Sequence, residues 1–141
     1  MRYVKWLMII NLFSMIAACQ FSGAKPIKPY TTDGCSKFPE GTRQHRDLWH
    51  QCCTVHDQKY WVGGSYDERL QADLELRSCV QSVGEPAIAE LMLAGVRVGG
   101  SPWWPSTFRW GYGWPYTHGY RALTPDELEQ VRRQKQGQGN N

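Results

Sequence analysis

The segment CCTVHDQKY, residues 52–60, brings two cysteines, a histidine and an aspartate together. A histidine is suited to proton transfer near neutral pH, and a carboxylate is suited to binding a hard cation. Because His56 and Asp57 are adjacent, their side chains would diverge by about 100° on a helix. They could not act on one atom. The segment therefore predicts two tasks on two faces of one helix, proton transfer at His56 and cation binding at Asp57.

Helical spacing of apolar residues, capping motifs and Gly or Pro breaks predict four helices around these residues. They cover approximately residues 47–61, 65–82, 86–98 and 124–134. Residues 101–120 are aromatic and interrupted by glycine and proline, which favours irregular structure. The polar end, KQGQGNN, has the composition of a frayed tail. The sequence therefore predicts a mainly α fold with an irregular, aromatic and Gly-rich C-terminal region.

The first two helices are joined by about three residues, so they must lie antiparallel. With the turn centred near residue 64, Cys52 would face residues 76–79, and His56 would face residues 72–75. A disulfide between Cys52 and Cys79 would then join the helices one turn from His56, with Asp73 opposite the imidazole. A disulfide between Cys35 and Cys53 would hold the preceding loop beside the next turn of the first helix.

The N-terminal stretch MRYVKWLMIINLFSMIAAC has two basic residues, an apolar run and small residues before Cys19. This pattern predicts a lipoprotein export signal over residues 1–18 and a lipid on Cys19. Gln20 after the cysteine favours the outer membrane of a bacterial envelope. An uncleaved single-span anchor is the alternative, but the apolar run is shorter than the roughly 18–20 residues that a span needs.

The remaining four cysteines predict two disulfides in an oxidising compartment, and three connectivities stay open. Cleavage would remove Arg2 and Lys5, leaving 14 of the 16 basic side chains against 13 acidic ones. That balance gives no argument for nucleic acid as a partner. The predicted organisation is a signal peptide (1–18), a tether (19–32), a domain (33–123) and a short helix with a polar tail (124–141).

Three segments resemble the secreted phospholipases A2. CCTVHDQKY is similar to their active-site helix, with the pattern C-C-x-x-H-D-x-x-Y, and ADLELRSCV is similar to their second helix. DGCSKFPEG resembles the divergent calcium loops of prokaryotic and some atypical animal members. The resemblance covers roughly residues 32–80. It implies an antiparallel helix pair stapled by disulfides Cys52–Cys79 and Cys35–Cys53, and calcium-dependent hydrolysis of the sn-2 ester of glycerophospholipids.

Carried over residue by residue, the resemblance makes His56 the general base and Asp73 its orienting partner, to which Tyr60 would hydrogen-bond. Asp57 becomes the calcium carboxylate. Two sources of further Ca²⁺ ligands stay open, namely backbone carbonyls around Gly34, Ser36 and Phe38, or the carboxylate of Asp33. The implied substrate is phospholipid in a bilayer or micelle, and the lipid on Cys19 would provide a second membrane contact.

The chain departs from the family pattern at several points. Lys59 and Ala72 stand where the family has a disulfide, and the glycine-rich calcium loop is reduced to Gly34 and Gly41. The connection between the helices is also too short for the family's β-wing. The altered calcium loop is the departure that favours an alternative of a different class, a non-catalytic lipid-binding or envelope lipoprotein on the same scaffold.

Two further alternatives concern the histidine cluster and the aromatic residues. His56 could be a buried structural histidine, or it could belong to a zinc site, whose candidate ligands are His45, His50, Cys52, Cys53 and His56. The aromatic residues are expected to cover the apolar third helix, and a membrane-interface surface is the alternative. They are Trp103, Trp104, Phe108, Trp110, Trp114 and Tyr116.

Overall fold

The computed structural model describes residues 25–139 and confirms a mainly α protein. Its helices are α1 (His50–Val62), α2 (Tyr66–Ser82), α3 (Pro86–Gly99) and α4 (Pro125–Gln138). No strand is formed within the described range. The predicted signal peptide and Cys19 lie outside the described residues, as does the start of the tether. None of the helices between residues 25 and 139 combines the length and apolar character that crossing a membrane requires.

The helix boundaries follow the capping signals, with two differences. Ser65–Glu68 and Thr124–Glu127 both form complete capping boxes at the starts of α2 and α4. However, α1 begins three residues later than predicted, because residues 46–49 form turns instead. α4 continues four residues beyond the predicted end, since the Lys and Gln residues of the polar tail are good helix formers.

The connection between α1 and α2 consists of Gly63, Gly64 and Ser65. Both glycines have positive φ, 72° and 140°, which is a conformation that side chains with a Cβ rarely adopt. The reversal sets the two helices antiparallel, so that early residues of α1 contact late residues of α2. α3 then packs antiparallel on α2, since its early residue Glu90 lies near Arg77 and its late residue Arg97 near Asp73.

Two disulfides fix this arrangement, and they resolve the three possible connectivities. Cys35 is bonded to Cys53 and Cys52 to Cys79, with Cα separations of 5.0 and 5.7 Å. The adjacent cysteines of α1 therefore point to two different partners, the preceding loop and α2. Because both are oxidised, they supply no thiolates, and the zinc alternative loses two of its ligands.

The aromatic C-terminal segment packs mainly on α1, which corrects the expectation that it covers α3. Trp110 and Trp114 are buried, and their indole N–H groups donate to the carbonyls of Gly64 and Val62 at 2.9 and 2.7 Å. The carbonyl of Val62 ends α1 without a helical partner, and the Trp114 indole satisfies it. The carbonyl of Gly64, in the following connection, accepts from both the Trp110 indole and the Arg121 amide. Three other large aromatic residues of the segment are not buried. More than half of the surface of each is exposed, namely Trp103, Trp104 and Tyr116.

Residues 25–32 lie against the domain where the structure describes them. Ile27 is buried with Trp61, Trp114 and Val131 of α4. The Lys28 amide donates to the carbonyl of Gly113 at 2.8 Å. The predicted tether is therefore packed on the domain from Ile27 onward.

Candidate active site

His56 of α1 and Asp73 of α2 form a buried pair. The Nε2 atom of His56 lies 2.8 Å from Oδ1 of Asp73, and the two side chains are 7% and 0% exposed. With Asp73 ionised, Nε2–H is the donor, and the neutral imidazole carries its lone pair on Nδ1. The antiparallel hairpin therefore brings together the two residues that the sequence placed opposite each other.

Tyr60 lies one turn further along α1, on the same face as His56. Its hydroxyl donates to Oδ1 of Asp73 at 2.8 Å, as predicted, and its ring centroid is 4.2 Å from that of His56. Burial and the Asp73 carboxylate both raise the pKa of Tyr60 above its usual range. Tyr60 is therefore a neutral donor to Asp73 throughout the physiological pH range.

Two arginines that the sequence analysis did not identify complete the surroundings of Asp73. Arg97 of α3 donates to Oδ2 of Asp73 at 2.7 Å. Arg69 of α2 donates through Nε to the Tyr60 hydroxyl at 3.0 Å. Burial alone would raise the pKa of Asp73, but the hydrogen bonds from His56 and Arg97 outweigh it and hold that pKa below its usual value. Asp73 is therefore a carboxylate.

Only one of the two arginines, Arg69, could have been connected with Asp73 from the sequence. Arg69 precedes Asp73 by four residues, the spacing of an ion pair on a helix surface, and its Nε is 3.8 Å from Oδ2. That spacing could have indicated it. No local pattern connects Arg97 to Asp73, because the contact depends on how α3 packs against α2.

Asp57 lies on the neighbouring face of α1, beside the loop that precedes the helix. Its Oδ2 accepts a hydrogen bond of 2.6 Å from the hydroxyl of Thr32. Burial raises the pKa of Asp57 to about 6, the Thr32 hydroxyl opposes that shift, and the nearby Asp33 carboxylate adds to it. The divergence predicted from the sequence is present, since His56 faces Asp73 and Asp57 faces Thr32.

The loop of residues 33–38 passes over Asp57 and is bound to α1 by the Cys35–Cys53 disulfide. Gly34 and Ser36 both have positive φ, 68° and 57°. Asp33 accepts a hydrogen bond of 2.9 Å from the Ser36 hydroxyl. The loop is therefore a tight turn, and it places Asp33 close enough to Asp57 to affect the pKa of that carboxyl.

An apolar cavity of about 280 Å³ opens beside His56 and Asp57. α3 supplies one wall and the loop of residues 33–38 supplies another, while Phe108 reaches in from the aromatic segment. The α3 residues of this wall include Leu91, Met92, Gly95 and Val96. A histidine with a free basic nitrogen and the half-buried carboxylate of Asp57 thus border the same apolar space, which can accept a chain of methylene groups.

The oxygen groups around Asp57 match calcium in chemical type. Ca²⁺ takes six to eight oxygen ligands from carboxylates, carbonyls and water. Asp57 and Asp33 provide two carboxylates, and the Gly34–Ser36 turn provides carbonyls. Two carboxylates close enough for one to raise the pKa of the other are a pair that a cation would stabilise. Within residues 25–139 no three side chains of His, Cys, Asp or Glu form a metal cluster, so Ca²⁺ here would depend on carbonyls and water.

Comparison of the chain with protein-family models, with curated proteins and with solved structures finds no match in any of the three.

Proposed function

We propose that the protein is a calcium-dependent phospholipase A2-type hydrolase that cleaves the sn-2 ester of glycerophospholipids. The observation that carries the proposal is the His56–Asp73 hydrogen bond at the edge of an apolar cavity that Asp57 also lines. The resemblance of residues 32–80 to the secreted phospholipases A2, including their antiparallel helix pair, supports the same proposal. It assigns His56, Asp73 and Asp57 to one reaction. The lipid anchor at Cys19 and an envelope location belong to this proposal as well.

In this mechanism Nδ1 of His56 takes a proton from a water molecule that attacks the ester carbonyl. Asp73 fixes the Nε2–H tautomer and stabilises the imidazolium that forms, without itself taking up the proton. Tyr60 donates to the same Asp73 oxygen and so restricts its position. The proton on His56 then passes to the leaving alcohol. Each step uses a group that is already oriented by a hydrogen bond.

A calcium ion held by Asp57, by loop oxygens at Gly34 and Ser36, and by Asp33 would supply positive charge for the substrate phosphate and the developing oxyanion. This chain contributes the holding groups. The Cys35–Cys53 disulfide keeps the loop over Asp57, and burial keeps that carboxylate poorly solvated. The apolar cavity excludes water from the acyl chain beside them.

The test is hydrolysis of phospholipid vesicles whose sn-1 and sn-2 chains differ in mass, with Ca²⁺ and with a chelator. We expect release of the sn-2 fatty acid that depends on calcium. His56→Gln should lower the rate by about 10²- to 10⁴-fold, since it removes the general base. Asp57→Asn should lower the affinity for Ca²⁺ and leave a protein with an unchanged circular dichroism spectrum.

His118→Gln is a matched control for the histidine substitution. His118 is also a buried histidine paired with a carboxylate, at 3.2 Å from Glu127, but it does not line the cavity beside His56. This variant should retain the hydrolysis rate. Equal fatty acid release from wild type and His56→Gln would contradict the proposed reaction.

A non-catalytic lipid-binding protein is the second candidate. The Thr32 hydroxyl occupies Oδ2 of Asp57 at 2.6 Å, which leaves fewer lone pairs for a cation. That candidate predicts saturable binding of phospholipid, measured by tryptophan fluorescence, with no fatty acid release at any Ca²⁺ concentration. Thr32→Ala provides a comparison, because it should strengthen Ca²⁺ binding in an enzyme that uses Asp57 and leave simple lipid binding unchanged.

A further inference from the structure

The Asp73 carboxylate is held at both oxygens by groups from two other helices. Oδ1 accepts from His56 and Tyr60 of α1, both at 2.8 Å, and Oδ2 accepts from Arg97 of α3 at 2.7 Å. A carboxylate bound on one side only could rotate about its terminal bond. With both oxygens engaged, the acceptor presented to His56 keeps its direction.

Arg69 connects the same group to the end of α3. Its Nη2 donates to the carbonyls of Val96 and Arg97 at 2.8 and 2.9 Å, in the last turn of that helix. Its Nε donates to the Tyr60 hydroxyl, so the single hydroxyl hydrogen of Tyr60 is left for Asp73. The side chain of Arg69 is 3% exposed. Arg69 therefore directs Tyr60 and anchors the C-terminal turn of α3 at once.

We propose that Arg97 and Arg69 are positioning residues, which orient Asp73 and thereby His56 by tying them to the end of α3. The inference rests on the proposed function of His56 as a base. α3 also lines the apolar cavity through Leu91 and Met92. The helix whose side chains would contact the acyl chain is therefore also the helix that carries Arg97 and to whose end Arg69 is bound.

The alternative explanation for the two arginines is stability alone. Buried ion pairs are a weak source of stability, since well-packed apolar groups of similar volume often serve as well. A planar guanidinium with several fixed donors does, however, set direction. Three hydrogen-bond donors from two neighbouring helices surround one fully buried carboxylate, and Arg69 lies 3.8 Å from its Oδ2, which fits that purpose.

The main variant is Arg97→Gln, assayed on a monomeric short-chain phospholipid with saturating Ca²⁺. We expect kcat to fall by about 10- to 100-fold, which is the usual effect of removing a residue that orients an active-site group without contacting the substrate. KM should stay unchanged within about twofold. Arg97→Lys should recover part of the loss, because it restores a charged donor. Arg77→Gln is the matched control, since Arg77 joins the same two helices through Glu90 at 3.7 Å but in a partly exposed position. It should retain kcat.

A second measurement does not require activity. In protein with ¹⁵N-labelled histidine, the His56 ring signals of wild type and Arg77→Gln should show the Nε2–H tautomer, whereas Arg97→Gln should show a mixture of the two tautomers. If wild type hydrolyses no phospholipid but the tautomer depends on Arg97, the proposed function fails and the positioning role stands.

Two results would overturn the positioning role. One is a His56 tautomer in Arg97→Gln that is identical to wild type, and the other is a kcat no lower than that of Arg77→Gln in an active enzyme. Should Arg97→Gln fail to fold, Arg69→Lys takes its place. Lysine keeps the charge but cannot bond Tyr60 and both carbonyls together. We expect its kcat to fall by about tenfold, and a wild-type kcat and tautomer in that variant would contradict the proposal.

Discussion

Cys52 and Cys79 join α1 to α2 through a disulfide that lies one helical turn from the buried His56–Asp73 pair. The cross-link closes a segment of 27 residues, and such closure lowers the entropy of the unfolded chain. The double variant Cys52→Ala/Cys79→Ala should therefore lose about 3–4 kcal/mol of unfolding free energy. Denaturation in urea measures this loss, and a change below about 1 kcal/mol would contradict it.

The Cys35–Cys53 disulfide should affect function more than stability. It closes 18 residues, so Cys35→Ala/Cys53→Ala should lose slightly less unfolding free energy than the other double variant. It also releases the loop of residues 33–38 from the face of α1 that carries Asp57. We expect Cys35→Ala/Cys53→Ala to show a larger fall in calcium-dependent hydrolysis and a weaker Ca²⁺ affinity than Cys52→Ala/Cys79→Ala. Both variants are measured at a temperature where they are folded. Equal Ca²⁺ affinity in the two would show that the loop is positioned by other contacts.

Much of the site could be predicted because it depends on local spacing. A three-residue connection forces α1 and α2 to be antiparallel, and from that register follow the Cys52–Cys79 disulfide and the His56–Asp73 pair. Lys59 of α1 forms an ion pair with Glu75 of α2 across this hairpin, and Ala72 is buried.

The contacts that sequence reasoning missed depend on packing between distant segments. Arg97 reaches Asp73 only because α3 folds back along α2, and nothing in the spacing of residues 86–98 indicates which way that helix faces. The aromatic segment shows the same limit. Trp110 and Trp114 donate to carbonyls near the end of α1, and a partner of that kind cannot be read from composition.

Glu127 should make stability depend on pH in the acid range. Arg121 and the capping box lower the pKa of this buried carboxyl from its usual 4.5 to about 2, against the effect of burial. A depressed pKa contributes stability that is complete above about pH 4.5 and is lost as the pH falls towards 2. We expect this loss to be about 2 kcal/mol, since the half-exposed Arg121 is partly screened by solvent.

The measurement is the unfolding free energy of wild type and Glu127→Gln at pH 6 and pH 3. The difference between the two proteins should shrink as the pH falls. Glu129→Gln on the same helix is the control, because Glu129 pairs only with the exposed Arg132 and Arg133. A stability difference for Glu127→Gln that is the same at both pH values would contradict the assignment.

Gly99 and Gly100, at the end of α3, should differ in how an added methyl group changes the unfolding free energy. A Cβ on Gly100 would lie 2.5 Å from both the hydroxyl and the Cε1 atom of Tyr60, whereas a Cβ on Gly99 would meet nothing within 4 Å. Gly100→Ala must therefore displace Tyr60 from Asp73 or move the end of α3. We expect it to lose about 1–3 kcal/mol of unfolding free energy, as overpacking does, and to lower kcat.

Gly99→Ala should be neutral or stabilising by up to about 1 kcal/mol, because alanine is the better helix former and the space is open. Both glycines line the apolar cavity, so an effect of simply narrowing that cavity would appear in both variants, as a raised KM. An effect through Tyr60 would appear only in Gly100→Ala, as a lowered kcat. Equal kcat values in the two variants would show that the Tyr60–Asp73 hydrogen bond does not control the reactivity of His56.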